Sequence, residues 1–208
     1  MKVSIIGDGG LSREIRAYLA ESGIEYTVYI SDELYNEKKH EPAGVLKLST
    51  LNTEEAPVLI AIANPEAKLN ISEQLPQNTT YFTFKHPTAS VYSDSIGQGT
   101  VIGPNAVITT NVKIGMHCLI NCNVVIGHDT LIGDYCTINP AAFIAGNCAI
   151  GNGTFIGGGV CVREDIIISN ANTVGLGAVV VKDLLGYNET YVGAPAKPLS
   201  KPGTSHAP

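Results

Sequence analysis

The sequence predicts a chain in two parts, a small α/β unit with a parallel sheet followed by a parallel β-solenoid. Two observations carry this. Up to residue 84, short apolar runs alternate with segments of helical spacing, and strands alternating with helices imply a parallel sheet. From Ile96 onward the apolar period becomes six, and a hexapeptide repeat builds a solenoid in which each repeat packs only on its neighbours.

In the first part, VSIIG reads as a buried strand and LSREIRAYLAESG as a helix. Ile15, Tyr18 and Leu19 fall on one side of that helix, and Gly23 ends it. IEYTVYI is a second strand, VLKLSTL follows, PVLIAIA is another buried strand, and LNISEQL is a helix. In the second part, the positions from Ile96 to Val180 taken in sixes are all Ile or Val. The next place is often glycine, as at Gly97, Gly103, Gly115, Gly127 and Gly133, and the fifth place is mostly small. Three hexads make one triangular coil of eighteen residues, so the repeat gives five coils. The domains follow: 1–84, a linker 85–95, the solenoid 96–185, and a C-terminal tail 186–208. The N-terminal domain and the tail cover the two coil ends.

A net charge of −6 with no basic stripe argues against nucleic-acid binding. No apolar run approaches ~18 residues, so no membrane span is expected, and MKVSIIGDGG reads as a first strand rather than a signal peptide. The cysteines at 118, 122, 136, 148 and 161 form no CxxC pair. Three of them occupy the small core slot, and reduced thiols fit the cytoplasm. No zinc-ligand spacing is present, so no metal is expected.

His128 occupies the third, outward place of its hexad, in IGHDTLIGDY. One coil later the same column holds Gly146, about 4.8 Å away across a parallel pair of strands. A base and a side-chain-free backbone N–H are thus stacked on the outer wall, as acyl transfer requires. Asp129 adjoins the imidazole and is placed to orient it. A solvated turn histidine is the competing reading.

The motifs IIGDGGLSREI, LIAIANPEAK, INCNVVIGHDTLIGDYCTINPAAFIAGNCAIG and YVGAPAKPL occur in this order, and with them the chain resembles the NeuD-type sugar O/N-acyltransferases. The resemblance covers nearly the whole chain. It implies a Rossmann-like nucleotide-sugar domain followed by a left-handed β-helix, a homotrimer with active sites between subunits, and acetyl-CoA as co-substrate. It implies His128 as general base supported by Asp129, and the Gly146 N–H on the thioester carbonyl. It places the coenzyme along Gly158 and Leu176, with 192–197 closing over it and Lys197 near a phosphate. The nucleotide-sugar falls to Gly7, Gly9 and Gly10, where a strand opens into a helix, to Asp32 at the end of the second strand, and to Asn64 toward the same crevice.

Two departures stand out. Leu11-Ser12 stands where the family commonly has histidine, so a substrate contact is missing or replaced by Ser12, and Thr137 stands where the family often has a second histidine. The resemblance implies N-acetylation of a nucleotide-linked 4-amino sugar. Sialic-acid-type O-acetylation and a non-catalytic trimeric scaffold stay open. A zinc hydratase would need three converging histidines, and the solenoid offers only His117 and His128. His86 reads as a loop residue.

Overall fold

The computed structural model describes residues 1–37 and 44–199. His40, His206 and the segment SKPGTSHAP, read from sequence as polar and mobile, lie outside them. The N-terminal unit runs β1 (Lys2–Ile6), α1 (Gly10–Glu21), β2 (Glu25–Ile30), α2 (Asp32–Glu37), β3 (Val45–Lys47), β4 (Val58–Ile60) and α3 (Pro65–Gln74). All strand pairs in its sheet are parallel, in the order β3-β2-β1-β4. The sequence pattern does not predict the helix α2, and α3 starts four residues before LNISEQL, where Asn64 caps it by accepting from the Ala67 N–H at 2.8 Å. Pro65 suits the first helical position because it lacks the N–H that position cannot use.

Beyond this unit each hexad from Ile102 to Val180 contributes a two-residue strand, and every third strand pairs in parallel. Three faces result. Face one carries Val101, Leu119, Thr137, Phe155 and Thr173 outward in register. Face two carries Val107, Val125, Phe143, Cys161 and Val179. Face three carries Lys113, Leu131, Ala149 and Ile167. The Ile/Val of each hexad points inward with the fifth-place residue, and Ile102, Ile120, Ile138, Cys118, Cys136 and Cys148 are all buried in one core.

The corners have a rule that the sequence reading did not extract. Every fourth place from Gly99 to Gly177 has a positive φ. Asn and Asp tolerate that conformation better than other side chains, which explains Asn105, Asn111, Asn123, Asp129, Asn147 and Asp165 there. His117 and Tyr135 also adopt it, at a cost of order 1 kcal/mol each.

The expected linker already belongs to the solenoid, since Phe84 pairs with Val101 and Ser90 with Val107. At the other end Thr190–Val192 pairs with face one, and Tyr191 is buried in the solenoid core. The first coils of face one are covered by the N-terminal domain. Val3, Ile5, Ile15, Leu19 and Leu59 share a buried cluster with Val101 and Leu119. Fully burying each such side chain is worth roughly 1.5–3 kcal/mol.

A second contact locks the two parts. Lys68 of α3 is buried, and its Nζ donates to the His117 carbonyl (2.9 Å), the Cys136 carbonyl (3.1 Å) and Thr137 Oγ1 (3.0 Å). The Thr137 hydroxyl donates in turn to the Ala63 carbonyl at 2.6 Å. Burial pushes the Lys68 ammonium down to about 8, and the three acceptors replace the water it has lost.

Candidate active site

His128 stands at the corner between faces two and three, with its side chain 65% exposed. Its Nδ1 lies 2.7 Å from Asp129 Oδ2. Asp129 accepts a second hydrogen bond from Asn111 Nδ2 at 3.0 Å. The bond from His128, and then the one from Asn111, hold the Asp129 carboxyl below its ordinary range. The ionised carboxylate can only accept, so Nδ1 is the donor, and in the neutral ring Nε2 keeps the free lone pair. That lone pair is what a base needs.

Gly146 packs over the ring. A Cβ added there would stand 2.7 Å from both Cε1 and Nε2 of His128. No described residue accepts from the Gly146 N–H. The corner between faces three and one contrasts with this. There the third-place N–H groups of Met116, Asp134 and Asn152 are each taken by the side-chain oxygen one coil later, from Asp134, Asn152 and Asn170 (2.8, 2.8 and 2.9 Å). Above Gly146 the corresponding residue is Glu164, and the N–H stays open to a developing oxyanion.

Gly158 and Leu176 line the other edge of face two. A Cβ at Gly158 would meet Leu176 Cδ1 and the Pro140 carbonyl, both at 3.2 Å. Leu176 is 84% exposed. The 192–197 hairpin continues this edge, with Val192 paired to Lys197 and the Ala196 N–H donating to the Val179 carbonyl at 2.8 Å. Lys197 itself is exposed. Within one chain, therefore, His128, Asp129 and Gly146 form one group, while Gly158, Leu176 and Lys197 form another on the opposite edge of the same face.

The N-terminal residues are also divided. Gly7 has φ +118 and sits against the Ala61 carbonyl, where a Cβ would be 2.9 Å from the oxygen. Gly9 caps α1 and Gly10 opens it, both exposed. With β1 between β2 and β4, the loop lies at the switch point of the sheet, the usual place for a phosphate. Asp32 accepts from Ser49 Oγ (2.6 Å) and the Ser49 N–H (3.0 Å) and lines a hollow of about 390 Å³ with Leu48 and Leu75. The Ser49 hydroxyl and then its N–H hold the Asp32 carboxyl down.

Asn64 does not share that hollow. It faces a larger cleft of about 690 Å³ between α3 and the face three–one corner, lined also by Tyr135, Phe155, Asn170 and Tyr187. That is within the range of small-molecule sites.

Ser12 is not a substitute substrate contact, because it is buried with no hydrogen-bond partner for its hydroxyl among the described residues. Thr137 serves the domain interface described above. His117 lies at a different corner from His128, buried, stacked on Tyr135 (5.1 Å between centroids) and edge-on to Tyr81 (4.3 Å). The two cannot converge on a metal. His86 is a buried junction, with the Thr88 N–H bonded to its Nδ1 at 3.2 Å and Glu21 3.6 Å from its Nε2. No helix among the described residues is long and apolar enough to cross a membrane.

Comparison with known proteins agrees with this architecture. A model of the PglD N-terminal domain matches residues 2–75, and a model of the bacterial transferase hexapeptide (six repeats) matches 95–128, 111–146 and 129–164. GDP-perosamine N-acetyltransferase of Escherichia coli O157:H7 is 34% identical over 123 residues, covering 53% of this chain and 55% of that protein. The chain thus spans about half the length of this curated relative.

Among solved structures, perosamine N-acetyltransferase from Caulobacter crescentus, as a histidine-to-asparagine variant in complex with CoA and GDP-perosamine, superposes with a TM-score of 0.86 at 25% identity. That match covers 97% of this chain and 98% of that one. The acetyltransferase domain of PglB from Neisseria gonorrhoeae FA1090, in complex with acetyl coenzyme A, gives 0.82 at 29% identity over 95% and 98%. These matches agree with an N-terminal Rossmann-like domain followed by a left-handed β-helix of hexapeptide repeats. The chain pairs a PglD N-terminal domain with transferase hexapeptide repeats, consistent with the NeuD/PglD-type sugar acyltransferase family.

Proposed function

We propose that the protein is an acetyl-CoA-dependent N-acetyltransferase acting on a nucleotide-linked 4-amino sugar, with His128 as general base. The observation that carries the reading is the stacked pair of an Asp129-held imidazole and the open Gly146 N–H at one corner. His128 Nε2 takes a proton as the sugar amine attacks the thioester carbon. The Gly146 N–H steadies the oxyanion, the C–S bond breaks, and the imidazolium returns the proton to the departing thiolate. No cysteine is needed. The GDP-perosamine enzymes among the relatives support an amino sugar with a nucleoside diphosphate handle. The Gly7–Gly10 turn offers N–H groups to that diphosphate.

Side-to-side packing into a homotrimer completes the reading. Faces two and three expose Leu131 (48%), Phe143 (45%) and Ile167 (49%), whereas Val101 and Leu119 of face one are buried under the N-terminal domain. Joining subunits along these faces hides the apolar row and brings a His128 edge of one chain toward a Leu176 edge of the next. The site then lies between subunits, in a cytoplasmic protein serving glycan synthesis.

The test is a thiol-release assay with acetyl-CoA and a panel of GDP-, UDP- and dTDP-linked 4-amino sugars plus free sialic acid. Turnover on a nucleotide-linked amino sugar is expected. Turnover on sialic acid alone makes the protein an O-acetyltransferase. Absence of both turnover and coenzyme binding leaves the scaffold.

A further inference from the structure

The fourth-place column beside His128 reads Asn111, Asp129, Asn147, Asp165. All four residues have φ near +60° (59, 58, 61 and 59), so their short polar side chains stack along the corner. Asn111 Nδ2 donates to Asp129 Oδ1, and two coils on Asn147 Nδ2 donates to Asp165 Oδ1 in the same arrangement. The residue before Asp165 is Glu164, whereas the residue before Asp129 is His128. Only the lower rung touches an imidazole.

We infer that Asn111 is a positioning residue for the acetyl transfer, acting through Asp129 on the tautomer of His128. This rests on the reading of His128 as the base. Asp129 is 50% exposed, and nothing else described fixes its rotation. Donation from Asn111 to Oδ1 pins the carboxylate plane and leaves Oδ2 facing Nδ1 of the ring. A carboxylate has no proton to give, so the amide must turn its NH₂ toward it. With Oδ2 in place the imidazole carries its proton on Nδ1, and Nε2, beside Gly146, stays free to accept. Without it the ring can carry the proton on Nε2, and that form is useless as a base.

The experiment uses Asn111→Gly and, as its control, Asn147→Gly. Glycine keeps the left-handed backbone and, at 147, the N–H that bonds the His128 carbonyl. The first readout is the ¹⁵N shifts of the His128 ring, which report the tautomer whether or not a substrate is known. The second is kcat with the best substrate of the panel.

The wild type and Asn147→Gly are expected to hold the Nδ1–H tautomer. Asn111→Gly should lose most of it, with kcat down about tenfold and the KM values unchanged. An unchanged tautomer in Asn111→Gly, or an equal loss in Asn147→Gly, reduces the rung to corner stacking and overturns the inference. If no acetyl transfer is found at all, the ring spectrum still decides the role of Asn111.

Discussion

Two corners of the same prism hold a histidine each, eleven residues apart, and they put it to opposite uses. His128 takes the third place, which projects outward, and among the described residues its side chain hydrogen-bonds to Asp129 alone. His117 takes the fourth place, turns under the N-terminal domain and is 2% exposed. Burial first, and the nearby Lys68 charge second, push its imidazole down to about 4, so it packs as a neutral ring. The backbone N–H groups follow the same division. They are capped by side chains along the corner that holds His117 and open at Gly146. The repeat supplies both geometries, and the N-terminal domain decides which corner is sealed.

Apart from His128 itself, the largest effect on this contrast is expected from Gly146→Ala. Its Cβ would displace the ring from a contact of 2.7 Å, and kcat should fall about 100-fold with the unfolding midpoint little changed, as checked by thiol release and thermal melting. A mere surface histidine predicts no such loss.

The sealed corner is sharpened by pH. Folded His117 binds its proton less readily than the unfolded chain does. The unfolded state therefore takes up the extra proton between about 6.5 and about 4, and stability present above 6.5 is lost as pH falls through that window. The loss is on the order of 2 kcal/mol. In His117→Asn, which tolerates the left-handed backbone, urea midpoints should show a shallower slope over the same range. The smallest effect belongs to Lys197, exposed on its hairpin. Lys197→Ala should raise the KM for acetyl-CoA about threefold and leave kcat alone.

The period of six made the solenoid, its inward residues and the stacking of Gly146 over His128 legible, because each coil repeats the same geometry and one addition of eighteen locates a neighbour. The interface between the two parts was not legible. Lys68 meets His117, Cys136 and Thr137 across separations of 49 to 69 residues, and nothing local in PEAKLNISEQ marks a buried lysine. The departure at Thr137 was visible as a substitution, but its use as an interface hydroxyl depends on that same docking. The fourth place is rich in Asn and Asp in the sequence itself, a fainter pattern than the glycines that follow Ile. Reading it would have shown Asp129 as a corner residue and Asn111 as its partner one coil below.

The most direct test of the account is His128→Asn, with acetyl-CoA affinity and turnover measured on the same preparation. The account predicts coenzyme binding within twofold of wild type and kcat lower by about 1,000-fold. Turnover near the wild-type rate in a variant that still binds the coenzyme would place the chemistry away from this corner.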